Sequence, residues 1–249
     1  MTNILIVGMP RGGSTYLLEL LATYNGFKIS DKNILDEPFG TVKVEFRSKG
    51  LTDESLLPQM FYDRKDYVVD IIKKYPCVIK DHIQNYRSYK EHTGQEFPFK
   101  IYDDFYKIKL IRKNFKALVY SLAISKTTRV FNVFNDDTKL VSKVKIESDM
   151  LDYAIQHQLD IVKLLYSDKS SYDNILYYED FSNPIKDQSL INLTKNNIKN
   201  IDVSIIKAKN HSDVIENYDE VESLFHSKVN NIKSDIFEID DRGFIVRNG

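Results

Sequence analysis

The chain has 249 residues, of which 42% are hydrophobic and 29% are charged, and its formal net charge at pH 7 is −1. This length and composition are typical of a soluble globular protein with a full core, so we predict a single domain over residues 1–249. The net charge argues against a general nucleic-acid binder. The single cysteine, Cys77, excludes a disulfide framework and a cysteine-based zinc site.

Two further classes are disfavoured by the pattern of residues. The five histidines form no metal-binding pattern, so no metal is expected. No long apolar run and no secretory signal is found, and the first strand begins directly after Thr2 and Asn3. The sequence therefore predicts a cytoplasmic protein without membrane insertion.

The first predicted elements are a buried strand at Ile4–Val7, a loop rich in glycine and proline, and a helix that ends near Tyr24. Backbone N–H groups at the start of a helix have no intrahelical partner, and the helix dipole favours negative charge there. The junction of strand, loop and helix therefore predicts an anion-binding site.

The spacing within this loop defines the anion more closely. Gly8, Gly13 and Thr15 have the spacing of the phosphate-binding motif G-x-x-x-x-G-K-[ST]. Ser14, however, stands at the lysine position, and the basic residue of the loop is Arg11. A loop without that lysine is poorly suited to γ-phosphoryl transfer but suits a phosphate or sulfate that a guanidinium binds.

The segment Pro10–Leu17 resembles the 5′-phosphosulfate loop of sulfotransferases that use 3′-phosphoadenosine 5′-phosphosulfate (PAPS). The usual form of that motif is P-[RK]-[ST]-G-[ST]-[ST], and here Gly12 replaces the first serine or threonine. The resemblance implies that PAPS is the co-substrate. It also implies that the co-substrate is bound by the loop residues Arg11, Gly12, Gly13, Ser14 and Thr15.

A candidate base follows the first helix. A short strand is predicted at residues 27–30, and Glu37 then stands in the Pro-Gly turn 36–40. A carboxylate near the phosphate loop could remove the proton from an acceptor hydroxyl. The Glu-Pro pair resembles the element that follows the loop in carbohydrate and trehalose-type sulfotransferases, in which the matching glutamate is a proposed base. A solvated turn carboxylate is the plainer alternative.

A rival base follows the next strand. A helix is predicted over residues 54–75 and a buried strand over residues 77–79. Polar groups at the carboxyl end of a parallel strand face the ligand crevice, so Lys80 and His82 become site candidates. The pattern K-x-H-[IL] resembles the element of cytosolic sulfotransferases whose lysine and histidine act at the transferring group. It implies that Lys80 stabilises the bridging oxygen and that His82 competes with Glu37, which the sequence narrowly favours.

The next motif concerns a second phosphate. Residues 88–104 are tyrosine-rich and polar without a period, which predicts a surface excursion. A strand at residues 106–112 and a helix from Phe115 follow. Arg112 and Ser121, in the spacing R-x8-S of trehalose-type enzymes, resemble the family's 3′-phosphate site. An arginine can bind a phosphate in bidentate fashion, and a serine hydroxyl adds a directional donor.

In the second half of the chain, residues 127–148 are predicted to form a lid or acceptor-binding segment, and residues 149–166 an amphipathic helix. A last core strand is predicted at residues 174–181 and a hairpin at residues 236–246. Tyr178 matches the family's Y-E-D-[LFM] element, in which the tyrosine contacts the adenine region. The tail resembles the family's basic C-terminal segment, which implies that Lys207 or Lys209 reaches the 3′-phosphate.

Together these motifs predict an α/β three-layer fold of the P-loop type, with a mainly parallel central sheet of about five strands flanked by helices. Two phosphate sites fit a bisphosphonucleotide better than a triphosphate. The predicted reaction is sulfuryl transfer from PAPS to an acceptor hydroxyl, with Arg11 and Lys80 stabilising the developing charge. A carbohydrate or small alcohol is the expected acceptor, and a lipid stays open. A phosphotransferase and a non-catalytic nucleotide-binding module are the alternatives.

Overall fold

The structure is a computed structural model that describes residues 2–28, 30–129, 143–180, 191–192, 210–230, 232 and 234–248. Its central sheet is parallel, with the strand order β2-β3-β1-β4-β5. The strands are β1 (Asn3–Gly8), β2 (Ile34–Asp36), β3 (Val78–His82), β4 (Phe105–Ile111) and β5 (Asn174–Tyr177). The predicted α/β fold with five parallel strands is therefore confirmed.

Helices cover both faces of this sheet. The described helices are α1 (Ser14–Tyr24), α2 (Thr41–Ser48), α3 (Leu57–Lys74), α4 (Ile83–Thr93), α5 (Phe115–Thr128), α6 (Ser148–Ser167), α7 (His211–Val214) and α8 (Tyr218–Val229). A small antiparallel hairpin of β6 (Phe237–Ile239) and β7 (Ile245–Arg247) matches the hairpin predicted over residues 236–246. None of the described helices is long and apolar enough to span a bilayer.

The layers follow from the alternation of side chains along the central strand β1. Ile4 and Ile6 are fully buried in a cluster with the leucines of α1. Leu5 and Val7 point to the opposite face and join the cluster that contains the apolar stripes of α5 and α6. Because both faces of the parallel sheet are covered, Ile4–Val7 of β1 is apolar at every position rather than at alternate ones.

The register of the sheet brings three chain segments to one edge. Gly8 at the end of β1 pairs with His82 at the end of β3. Asp36 at the end of β2 pairs with Lys80. The loop after β1, the turn after β2 and the last residues of β3 therefore lie side by side at the carboxyl ends of the strands, where open α/β sheets bind ligands.

The strand predicted at residues 27–30 is wrong, because the second strand is Ile34–Asp36. The main chain before it forms a turn, in which the N–H of Asp31 donates to the carbonyl of Lys28 at 3.0 Å. The Asp31 carboxylate in turn accepts from the N–H of Lys28 at 2.8 Å. These local bonds use backbone groups that a strand would need for its neighbours.

The surface excursion predicted at residues 88–104 is also wrong. Most of it belongs to α4 and to a short 3₁₀ helix at Phe99–Tyr102, and Tyr89 and Tyr102 are buried. The rings of Tyr86 and Phe97 stack with centroids 4.1 Å apart. This segment is held by aromatic side chains packing on one another, which the periodicity of the sequence does not register.

The other predicted elements have the expected type. Residues 54–75 form a 3₁₀ turn at Glu54–Leu56 followed by α3, and the helix predicted over residues 149–166 is α6. The last strand is shorter than predicted, because the chain turns after Tyr177. Most of the predicted lid, residues 130–142, lies outside the described residues.

Candidate functional site

The loop between β1 and α1 has a backbone that few sequences could adopt. Gly13 immediately precedes α1 with a φ of 84°, and Arg11 has a φ of 66°. The ring of Tyr178 lies so close to Gly13 that a Cβ atom there would be 2.2 Å from it. No side chain of the described residues caps the start of α1, and a helix start of this kind can bind an anion through its backbone N–H groups.

The backbone of Gly12 is folded tightly against Met9. Its N–H donates to the carbonyl of Met9 at 3.0 Å, so this donor is used within the loop. A Cβ at position 12 would lie 2.9 Å from the same carbonyl oxygen. The departure of Gly12 from the usual serine or threonine is therefore explained by the tight fold of the loop around Met9.

Lys80 extends into the site from β3 as a buried cation. Its side chain is 2% exposed, and its Nζ lies 2.5 Å from Asp36 Oδ1 and 2.8 Å from Glu37 Oε1. The same ammonium group donates to Thr15 Oγ1 at 2.9 Å. Two carboxylates and one hydroxyl thus compensate the cost of burying this charge.

His82 connects Glu37 to the first residue of α1. Its Nδ1 is 3.0 Å from Glu37 Oε2, and its Nε2 is 3.1 Å from Ser14 Oγ. The chain of contacts runs from Ser14 through His82, Glu37 and Lys80 to Thr15, so it begins and ends on adjacent residues of the helix. We call these five residues the closed network.

The protonation states of the closed network follow from its contacts. Burial by itself would raise the pKa of Glu37, but the hydrogen bonds and charges of His82 and Lys80 hold that pKa at about 2. Burial lowers the pKa of His82, against the opposing effect of Glu37. At neutral pH Glu37 is therefore ionised and His82 neutral, with Nδ1–H donated to Glu37 and Nε2 left as an acceptor.

A second group of residues, which we call the arginine cluster, consists of Arg11, Arg112, Ser121 and Tyr178. Arg11 Nε donates to Ser121 Oγ at 2.8 Å, and Arg112 Nη1 donates to the carbonyl of Arg11 at 2.8 Å. The Arg112 guanidinium lies 4.6 Å from the centre of the Tyr178 ring. Burial, together with the charge of Arg112, lowers the pKa of Arg11 to about 10.

The arginine cluster contains a donor without an acceptor. Arg112 Nε is buried and has no hydrogen-bond partner among the described residues. The nearby carboxylate of Glu179 accepts instead from the backbone N–H groups of Lys113 and Asn114, at 3.1 and 2.9 Å. A buried guanidinium donor in this state is the kind of group that an anionic ligand satisfies.

Three further residues belong to this region but were not identified from the sequence. The ring of His211 lies nearly perpendicular to that of Tyr120, and burial together with the charges of Arg112 and Arg11 lowers the pKa of His211 to about 4. Asp36 binds Lys80 directly. Asp81 is fully buried, and Asp81 Oδ1 accepts from the N–H of His82 at 2.9 Å. Alternation along β3 could have placed Asp81 on the sheet face opposite to Lys80 and His82. Nothing in the sequence linked His211 to the arginines.

The structure brings together residues that the sequence analysis had assigned separately. Those in contact within the two groups are Arg11, Ser14, Thr15, Glu37, Lys80, His82, Arg112, Ser121 and Tyr178. Lys207 and Lys209 lie outside the described residues. Across the described part of the chain, no group of three or more His, Cys, Asp or Glu side chains is arranged to hold a metal ion.

No protein-family model and no curated protein matches the chain. The function is therefore inferred from the side chains of the site and from the motifs that they form.

Proposed function

We propose that this protein is a PAPS-dependent sulfotransferase, which moves a sulfuryl group to an acceptor hydroxyl and leaves adenosine 3′,5′-bisphosphate. The observation that carries the proposal is the hydrogen bond of 2.8 Å between Arg11 Nε and Ser121 Oγ. It joins the predicted 5′-phosphosulfate loop to the predicted 3′-phosphate residues, which are 110 positions apart in the chain. Two phosphate-binding parts in direct contact suit one bisphosphonucleotide.

Negative charge that develops during the transfer is stabilised by two cations, Lys80 on β3 and Arg11 in the loop between β1 and α1. Lys80 is fixed by three oxygen atoms and touches Thr15 in the first turn of α1. The side chain of Arg11 is held by its hydrogen bond to Ser121. Because these cations are held by the fold before any ligand binds, they can stabilise the bridging oxygen without reorganisation during the reaction.

His82 is the better candidate for the base, and Glu37 for the group that orients it. Both carboxylate oxygens of Glu37 are occupied, one by Lys80 and one by His82, and its pKa of about 2 makes it a weak proton acceptor. His82 is neutral, and its Nε2 is an acceptor. This arrangement of a carboxylate, an imidazole and a hydroxyl is the one in which a histidine removes a proton.

In this proposal the acceptor reaches the closed network from the side of Asp36 and Glu37. The side chains of Asp36 and Glu37 are 45% and 32% exposed, whereas that of Lys80 is 2% exposed. Carboxylate oxygens accept hydrogen bonds from hydroxyl groups, so a carbohydrate or a small alcohol is the acceptor class that fits.

Binding and transfer test this proposal together. Adenosine 3′,5′-bisphosphate should raise the melting temperature without magnesium, whereas ATP should raise it weakly. Labelled PAPS should transfer its sulfuryl group to at least one member of a panel of carbohydrates and alcohols. Tight, magnesium-dependent ATP binding without any response to adenosine 3′,5′-bisphosphate would overturn the proposal. Nucleotide binding without any transfer would leave a non-catalytic nucleotide-binding module.

One observation favours a phosphotransferase as the second candidate. The loop has Ser14 where P-loop enzymes have lysine, but Lys80 Nζ reaches Thr15 Oγ1 at 2.9 Å from the neighbouring strand. A lysine supplied in this way could contact a transferring phosphoryl group. The same melting-temperature measurements test this candidate. A phosphotransferase should be stabilised more by ATP with magnesium than by adenosine 3′,5′-bisphosphate.

A further inference from the structure

Ser14 has one hydroxyl hydrogen and two possible acceptors for it. Its Oγ lies 3.1 Å from His82 Nε2. Because the Nδ1–H of His82 is donated to Glu37, Nε2 carries a lone pair and can only accept. The hydrogen of Ser14 therefore points to His82 when the loop holds no anion.

The second acceptor is an anion in the loop. Ser14 is the first residue of α1 and is 3% exposed, between Gly13 and the Thr15 hydroxyl that contacts Lys80. A phosphate or sulfate bound at this helix end would lie among the N–H groups of the first turn. A hydrogen bond to a charged oxygen is roughly twice as strong as one between neutral groups, so the anion is the preferred acceptor.

We propose that Ser14 couples occupation of the loop to the release of His82. With the loop empty, the Ser14 hydroxyl occupies His82 Nε2. When a phosphate or sulfate group of the donor binds, the hydroxyl turns to that group and leaves Nε2 open to the hydroxyl of the acceptor. This inference rests on the proposed function, because it takes His82 as the base, and it predicts that the donor binds before the acceptor.

The imidazole ring stays in position when Ser14 turns away. The charged groups that act on His82 are Glu37, Lys80 and Asp36, and Lys80 holds both carboxylates. Asp81 also accepts from the backbone N–H of His82 on the other face of the sheet. None of these contacts depends on Ser14. A rotation of one hydroxyl is therefore enough to free Nε2, and Ser14 acts as a positioning residue.

Nitrogen NMR of the imidazole rings tests this coupling without any assay of activity. The chain has five histidines, and the His82→Asn variant assigns the His82 signal in protein labelled with ¹⁵N-histidine. Saturating adenosine 3′,5′-bisphosphate should move the Nε2 resonance of the wild type towards its position in Ser14→Ala. The same nucleotide should move it much less in Ser14→Ala, and Ser14→Thr should restore the wild-type response.

The pKa of His82 gives a second readout. A hydrogen bond from Ser14 stabilises the neutral ring, so Ser14→Ala should raise the pKa of His82 in the free protein by roughly 0.5 to 1 pH unit. The exposed Ser227 on α8, which donates to the carbonyl of Leu224, provides a matched control. Ser227→Ala should leave the His82 signal and its titration unchanged.

Three outcomes separate this inference from the proposed function. If adenosine 3′,5′-bisphosphate fails to bind but inorganic phosphate moves the Nε2 resonance, the nucleotide assignment fails and the coupling holds. If neither anion moves the resonance, the coupling is overturned. A sulfuryl group found covalently attached to Ser14 by mass spectrometry after incubation with PAPS also overturns it, because Ser14 would then be a nucleophile.

Discussion

The closed network and the arginine cluster flank the same loop, but they differ in how their charges are balanced. In the closed network, Lys80 contacts two carboxylates and His82 contacts a carboxylate and a hydroxyl. In the arginine cluster, Arg112 donates to the backbone carbonyl of Arg11 and the Arg11 side chain donates to the hydroxyl of Ser121, and neither acceptor carries a charge.

This difference indicates that the closed network serves the reaction and that the arginine cluster serves ligand binding. A network in which the buried cation is already paired with carboxylates keeps its geometry whether or not a ligand is present, which suits groups that must be in place for a reaction. A cluster in which the buried donor Arg112 Nε has no acceptor among the described residues gains most when an anion arrives, which suits binding. Substitutions in the first group should therefore reduce turnover or stability, and those in the second should reduce affinity.

The largest effect is expected from His82→Asn. Removing the base should lower the rate of sulfuryl transfer by roughly 10²- to 10⁴-fold and leave the affinity for adenosine 3′,5′-bisphosphate nearly unchanged. The rate of the wild type should also fall as the pH drops below the ordinary histidine pKa of 6.5 and through the lowered pKa of His82, because only the neutral ring accepts a proton. Steady-state kinetics and calorimetry measure the two quantities.

Two further variants complete this test. Glu37→Gln should be milder than His82→Asn, because it removes the group that orients the base and leaves the base itself. His157→Asn, on the outer part of α6 where the ring stacks on Tyr153, is the matched control and should retain full activity. The reverse order of the first two variants would make Glu37 the base and would support the narrow preference drawn from the sequence.

The next effect is on stability. Lys80→Met should lower the free energy of unfolding by about 2–4 kcal/mol, because Asp36 and Glu37 lose the cation that neutralises them. This loss is smaller than the loss expected on breaking a fully buried ion pair, because both carboxylates are partly exposed. Lys49→Met, which removes a surface ion pair with Glu45, should cost less than about 1 kcal/mol in urea denaturation. Equal losses for the two variants would refute the distinction.

Arg112→Ala addresses the arginine cluster. Loss of a guanidinium contact should weaken the binding of adenosine 3′,5′-bisphosphate by about 1.5–3 kcal/mol, roughly 10- to 100-fold in Kd, with little change in unfolding. Arg87→Ala, which removes an exposed arginine paired with Glu91, should bind as the wild type does. Unchanged affinity in a folded Arg112→Ala variant would remove this residue from the site.

The smallest effect concerns Asp81, which lies beneath His82. Burial raises the pKa of Asp81 from its usual 3.8 to about 7, so the unfolded chain loses this proton at a lower pH than the folded one. The stability of the wild type should therefore fall as the pH rises between these two values. Asp81→Asn cannot ionise, and it should stabilise the fold by about 1–3 kcal/mol above pH 7 and not at all below pH 3.8.

Urea denaturation across this pH range measures the Asp81 effect. Asp70→Asn, at an exposed position of α3, is the control and should show no such dependence on pH. A variant Asp81→Asn that is less stable than the wild type at pH 8 would mean that the folded protein keeps this carboxylate ionised, with hydrogen bonds that an amide cannot replace.

Much of the fold could be predicted because its central elements are regular. The apolar run Ile4–Val7 and the period from Phe115 onward both correspond to the elements that the sequence predicted. The segment from Tyr86 to Tyr102 could not be predicted in the same way. Its order comes from rings that meet in three dimensions, and such contacts leave no fixed spacing in the chain.

Individual residues of the candidate site could be identified from the sequence, but the contacts between them could not. Glu37 and His82 entered the sequence analysis as rivals, whereas the structure has them in contact at 3.0 Å. Their relation depends on the parallel register that aligns β2, β3 and β1, and no local pattern contains that register. His211 was missed because its neighbours Arg11 and Arg112 are distant in sequence.

Successive polar residues of β3 face opposite sides of the sheet. Lys80 and His82 point towards α1, and Asp81 between them points to the aromatic side of the sheet. A deletion of one residue within this strand would exchange the faces, presenting a carboxylate to the loop and burying two bases among tyrosines. The length of β3 is therefore as constrained as its side chains, and an insertion or deletion within Val78–His82 should damage the site more than one in the exposed loops of the chain.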